Sequence, residues 1–178
     1  MDATVGLRQD HEVIKQVLAT LGAIADRGEV PVATLRSAVA FSQDFVDRCH
    51  HGREESCLFP CLERCGVPRD GPIAVMLMEH EMGRKLVRSI AAALDRFDGG
   101  QGNRDEVLRL VGDYVDILEQ HIYKEDHSLF EMGRQVMGER DIADTLGCDD
   151  RTEAERGTAG YPPKMAAFAA RITGSPGA

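Results

Sequence analysis

Two stretches of this chain repeat one arrangement of ionisable residues. His50-His51-Gly52-Arg53-Glu54-Glu55-Ser56-Cys57-Leu58-Phe59 and His121-Ile122-Tyr123-Lys124-Glu125-Asp126-His127-Ser128-Leu129-Phe130 both fit His-x3-Glu-x3-Leu-Phe. On a helix, four-residue spacing stacks imidazole and carboxylate on one face, one turn apart. Two such faces turned toward each other offer two imidazoles and two carboxylates to a shared space, and His11 and His80 supply two more imidazoles. Four neutral imidazoles and two carboxylates suit a pair of borderline metal ions such as iron, with zinc, copper and nickel accepting similar donors. The expected metal ligands are His11, His50, Glu54, His80, His121 and Glu125. One ion takes His11 and His50, the other His80 and His121, and Glu54 and Glu125 bridge. With an oxo or hydroxo bridge each ion keeps one open position for a small ligand.

The elements that must position these groups emerge from the apolar period. Residues 5–26 carry a seam of Leu7, His11, Ile14, Leu18 and Leu21, and Arg27-Gly28 ends the helix. A second helix is expected from after Pro31 to about Cys65-Gly66, with Pro60 kinking or ending it. A third covers residues 72–97, its seam running Ile73, Leu77, His80, Arg84, Val87, Ala91 and Leu94. A fourth covers 104–137 with Val107, Val111, Tyr114, Leu118, His121, Glu125 and Met132 in register. An ionisable group in such a seam is costly unless paired, hydrogen-bonded or metal-bound. The expected fold is all-α, an up-down-up-down four-helix bundle over residues 1–138, with a C-terminal helical extension over 139–178. In that extension, residues 141–146 and 164–172 read as short helices and 149–160 as a polar stretch.

Composition narrows the function. The 178 residues carry a net charge of −9, no Trp and only 5% aromatics. No basic run exists to track a phosphate backbone or an anionic bilayer, so neither nucleic acid nor membrane is an expected partner. The chain opens without the basic and apolar regions of a signal peptide, and no apolar run approaches a membrane span. A cytoplasmic location is therefore expected, with the five cysteines as reduced thiols.

Asp10-His11, His50-x3-Glu54 with Leu58-Phe59-Pro60, Glu79-His80-Glu81, and His121-x3-Glu125-Asp126 with Leu129-Phe130 together resemble the hemerythrin-like (HHE cation-binding) family over residues 7–137. The resemblance implies a non-haem di-iron protein that binds or reacts with dioxygen, nitric oxide or peroxide. Its alternatives are an iron-donating or repair protein for damaged iron centres, or a redox- or oxygen-sensing interaction module. Oxygen-carrying hemerythrins place a histidine one turn after the third-helix ligand, where this chain has Arg84, and use an Asp five residues after the fourth-helix His, here Asp126. The pattern is closer to the six-ligand relatives, and the internal repeat favours Glu125 over Asp126.

Several positions carry two readings. Helix phase could turn His51 and Glu55 inward in place of His50 and Glu54, or leave them as a supporting shell. Arg84 either packs its stem along the seam with its head in water, or brings its guanidinium near the metals to steer an anionic ligand. Tyr114 reads as a core aromatic whose phenol can face the pocket, and Tyr161 as a weaker candidate of that kind. Cys57, Cys61 and Cys65, four residues apart, read as buried small hydrophobes rather than a soft-metal patch. The run 153–156 reads as a solvated face.

Overall fold

A computed structural model of the chain describes residues 2–174, and all regular structure among them is helical. Helix α1 is Val5–Arg27, stopped by Gly28, whose φ of 69° is a left-handed conformation that costs glycine little. Helix α2 runs without a break through Val32–Phe41, Ser42–His51, Glu54–Leu58 and Phe59–Arg64. After a turn at Arg69–Ile73, α3 spans Ala74–Asp98. Asn103 caps the next helix by accepting from the Asp105 N–H at 2.8 Å. That helix, α4, is continuous through Arg104–Lys124, Glu125–Leu129 and Phe130–Val136. Two further helices complete the described chain, α5 at Glu139–Arg156 and α6 at Tyr161–Thr173.

Two apolar clusters sandwich a polar layer. One contains Ile14, Leu18, Phe45, Val87, Val111 and Leu118, and the other Leu7, Leu58, Phe59, Met76, Leu129 and Phe130. Along each of α1 to α4 a histidine lies between residues of the two clusters, and successive helices cross the layers in alternating directions. Phe41, Phe45, Phe59 and Phe130 are the largest fully buried side chains. Each contributes roughly 1.5–3 kcal/mol by leaving water, so the polar layer is carried by the apolar ones on either side.

Pro60 does not end α2. It sits in the first turn of Phe59–Arg64, where a missing N–H is tolerated, directly after a widened turn in which the Phe59 N–H bonds the Glu54 carbonyl. The matching turn recurs in α4, where the Phe130 N–H bonds the Glu125 carbonyl. The extra residue in that turn rotates the rest of α4, so Phe130 and Gly133 are buried and Met132, expected in the seam, is exposed. The helix expected at 141–146 continues through the polar residues 149–156, because one side of α5 lies on α2. Cys57 and Cys148 form a disulfide between these helices, which corrects the expectation that every thiol is free; Cys49, Cys61 and Cys65 are free. The run 153–156 is likewise not simply solvated: Arg156 donates to the Ser56 hydroxyl at 3.1 Å, and its guanidinium lies where a Cβ on Gly52 would sit. Helix α6 packs against α1 and α2 and adds Ala169 and Ile172 to the larger cluster, with Tyr161 packed on the same apolar surface.

Candidate metal centre

The polar layer contains His11, His50, Glu54, His80, His121 and Glu125, each no more than 1% exposed. The Nε2 atoms of His11 and His50 face each other at 3.1 Å, and those of His80 and His121 at 3.2 Å. Glu54 spans the two pairs, with one oxygen 3.4 Å from His50 Nε2 and the other 3.4 Å from His80 Nε2. Glu125 places Oε2 3.2 Å from His11 Nε2 and 3.4 Å from His121 Nε2. None of the four carboxylate oxygens has a hydrogen-bond donor in good geometry among the described residues.

Each imidazole is oriented from behind. His11 Nδ1 lies 2.9 Å from Asp126, His50 Nδ1 3.3 Å from Asp10, His80 Nδ1 2.7 Å from Glu55, and His121 Nδ1 3.1 Å from Glu79. A carboxylate only accepts, so every Nδ1 carries the proton and donates, leaving the Nε2 lone pairs turned inward. Four cations complete the relays: Lys15 on Asp126, Arg53 on Asp10, Arg84 on Glu55 and Lys124 on Glu79. Phe130 stacks on His11 and Phe59 on His80. The pair α1–α2 is thus repeated by α3–α4, residue for residue, from ligand histidine to outer cation.

Of the carboxylates behind the histidines, sequence reading offered Glu55 as a supporting residue and weighed Asp126 as a ligand, and it gave Asp10 and Glu79 no role in the centre. Asp10 and Glu79 directly precede His11 and His80, and Glu55 and Asp126 directly follow Glu54 and Glu125. The repeat therefore extends one residue beyond the ligand spacing, and that acidic neighbour was the available signal. Asp126 points to His11 Nδ1, Arg8 and Lys15, while Glu125 occupies the centre. Arg84 turns outward to Glu55 and Asp47, bonding Asp47 at 2.7 Å, and touches the centre through Glu55 alone.

The charges respond accordingly. Burial alone would strip the proton from His11, but Asp126 and Glu125 outweigh it and raise its pKa to about 9. His80 is raised to about 9 against burial by Glu54 and Glu55. Burial likewise opposes ionisation of Glu54, yet His50 and His80 hold its carboxyl far below the usual range. Asp126 is lowered to about 2, against burial, by His11 and Lys15. Without a cation at the centre, protons must do the neutralising.

His51 stands apart. It is 3% exposed, and neither ring nitrogen has a hydrogen-bond partner among the described residues. An Asp47 oxygen lies 3.8 Å from its Nδ1, beyond hydrogen-bond reach. It can bring a ring nitrogen within 4.8 Å of donor atoms of Glu54, His80 and His121. Its ring, however, stacks on His80 at 3.7 Å and 12°. Imidazole lone pairs lie in the ring plane, so two stacked rings do not converge on one ion. Burial first, then the neighbouring His80, hold His51 neutral.

The donor set fits metal. Facing lone pairs at 3.1–3.2 Å repel unless a cation or proton lies between them, and adjacent ligands with bonds of about 2.1 Å are about 3 Å apart at right angles. A helical protein with buried His/Glu clusters in this arrangement is a cation-binding one. The chain belongs to the hemerythrin HHE cation-binding domain family, whose profile matches residues 2–133. It is 28% identical over 165 residues to an uncharacterized protein of Mycobacterium bovis and to uncharacterized proteins of two Mycobacterium tuberculosis strains, covering 87% of this chain. The chain spans 63% of the length of these curated relatives. No solved structure gives a significant match. No helix among the described residues is long and apolar enough to cross a membrane.

Proposed function

We propose that this chain is a cytoplasmic non-haem di-iron protein in which α1 to α4 act as a hemerythrin-like up-down-up-down bundle binding, or reacting with, a small ligand: dioxygen, nitric oxide or peroxide. In this reading residues 1–138 are the metal-binding unit and 139–178 its cover, and neither nucleic acid nor membrane is a partner. His11 and His50 hold one iron, His80 and His121 the other, and Glu54 and Glu125 bridge them. A bound iron pair supplies redox chemistry and open coordination positions for a small ligand. The protein's own part is to present four Nε2 lone pairs, fix each tautomer through a carboxylate behind it, and exclude water with Phe59 and Phe130. The observation that carries the reading is the convergence of the Nε2 atoms on two carboxylates whose four oxygens lack any other partner among the described residues. An all-imidazole and carboxylate donor set without thiolate suits iron.

The test is metal analysis of anaerobically purified protein, followed by ultraviolet–visible spectra on adding oxygen, nitric oxide and peroxide. About two irons per chain, with a spectrum that changes on ligand addition, is the expected result. Zinc alone, or no metal with an unchanged fold, overturns it.

One observation favours a sensing role for the same centre. Arg53 contacts both Asp10, which orients His50, and Glu153 of α5 at 3.5 Å. The tail thereby touches one histidine through two charged residues. Limited proteolysis of residues 139–178 that differs between ligand-free and ligand-bound iron protein supports sensing, and identical patterns remove it.

A further inference from the structure

The two halves of the polar layer match except beside the ligand histidines of α2 and α4. Ile122 comes directly after His121 and is buried in the apolar cluster. The equivalent position after His50 is His51, buried and without a hydrogen-bond partner among the described residues. A buried imidazole with two unsatisfied nitrogens is costly where the sister position accepts a hydrocarbon. It is also where the molecule has a cavity. A space of about 250 Å³ opens from the surface between α2, α3 and α4 and reaches His51. Val46, Val87 and Leu118 supply apolar walls, and His51 and Tyr114 supply polar groups.

The electrostatics of the mouth indicate what fits. Arg84 is bound by Asp47 and Glu55 and lies 3.7 Å from Glu81, which also pairs with Arg88. With these cations already answered by carboxylates, the described lining offers no free charge to an anion. Burial pushes the Tyr114 phenol up to about 12, against the lowering influence of the Ser42 hydroxyl, so it stays protonated. Size narrows the class further. An apolar cavity of about 150 Å³ accommodates benzene, and this one is larger. The two ring nitrogens of His51 lack partners among the described residues, and a hydroxyl group can supply one.

We infer that this cavity is a binding site for a small uncharged organic molecule, about one substituted ring in size, whose hydroxyl is hydrogen-bonded by His51. The site is distinct from the six metal ligands. Its polar end is separated from His80 by the thickness of one imidazole, so occupancy is felt at the His80/His121 half and not at the His11/His50 half. The cavity and His51 are properties of the chain itself, independent of whether iron fills the centre.

Phenol is the probe, with benzene as its hydroxyl-free counterpart. Titration of the full chain by calorimetry is expected to show one saturable site for phenol, with benzene about tenfold weaker, the equivalent of roughly 1.4 kcal/mol. Val87→Phe, which fills the cavity, is expected to weaken phenol about tenfold or more while metal content stays at the wild-type level. Gly83→Ala is the milder second variant: its new methyl would lie 3.4 Å from Leu118 and 4.0 Å from Tyr114, and it is expected to weaken phenol by a smaller factor. His51→Phe is expected to equalise phenol and benzene. No saturable phenol binding to the wild-type chain, or undiminished binding in both cavity-filling variants, overturns the inference. Metal content measured on the same samples reports separately on the di-iron reading, so loss of one result leaves the other standing.

Discussion

In the His11/His50 half of the centre the outer residues lie under α5, and in the His80/His121 half a cavity ends at His51, although both halves are built from the same parts. In each, a histidine is backed by a carboxylate and the carboxylate by a cation. The difference lies in the outer layer. Arg53, behind His50, is only 7% exposed because Glu153 and the rest of α5 cover it, whereas its counterpart Lys124, behind His121, is 40% exposed. On the other side, His51 stacks on His80 and lines the cavity. The repeated frame is thus asymmetric in one imidazole and one covering helix.

Glu54 and Glu125 each lie against a histidine of both halves, so their loss has the largest expected effect. Glu125→Ala is expected to lower iron affinity by more than the roughly 10–100-fold typical of losing a supporting partner, seen as lost iron after chelator challenge. Asp126→Asn, which disturbs only the partner of His11, is expected to stay within that range. Equal losses from the two variants would reverse the assignment of Glu125 to the centre.

The half under α5 depends on its buried cation. Asp10→Ala leaves Arg53 in the interior with Glu153 as its remaining ion-pair partner among the described residues, and is expected to destabilise the metal-free fold by about 3 kcal/mol. Glu79→Ala frees a Lys124 that water can reach and is expected to cost about 1 kcal/mol or less. Urea denaturation of the two variants separates these values; similar costs would mean that α5 does not shield Arg53 in solution. Cys148→Ser removes the covalent link from α5 to α2 and is expected to cost about 2 kcal/mol. It is also expected to increase the accessibility of the His11/His50 half, read as faster iron loss to a chelator, with phenol binding on the other side unchanged.

In their pH dependence the two halves agree. His11 and His80 are both raised to about 9 from an ordinary 6.5, so the metal-free protein holds more protons than the unfolded chain between those values. That stabilisation is complete below pH 6.5 and is lost as the pH rises through about 9. Metal replaces those protons, so the loaded protein is expected to lack the decline and to release protons on loading at neutral pH. A fall of Tm in the metal-free protein alone separates the two profiles. A metal-free protein whose Tm does not fall between pH 6.5 and 9 would mean that the histidines are not charged when metal is absent.

The helices and the polar layer were legible in the sequence, because both depend on local spacing. A 3.6-residue apolar period marks α1 to α4, and His-x3-Glu repeats mark the two faces that carry the carboxylates. The break at Gly28 was also legible, since a glycine after the last turn acts through its own backbone freedom. Tertiary contacts settled everything that depends on a partner from elsewhere in the chain. Pro60 is tolerated because a widened turn precedes it, and the same widening in α4 turns Met132 outward. Polar residues 149–156 are helical because α2 offers them Arg53, Ser56 and the bare backbone of Gly52. Whether Cys57 is a thiol or half of a disulfide depended on Cys148 lying opposite, 91 positions away. The role of His51 was ambiguous for the same reason: helix phase turns both His50 and His51 inward, and only the placement of His80 shows that one ring points into the centre and the other lies flat against it.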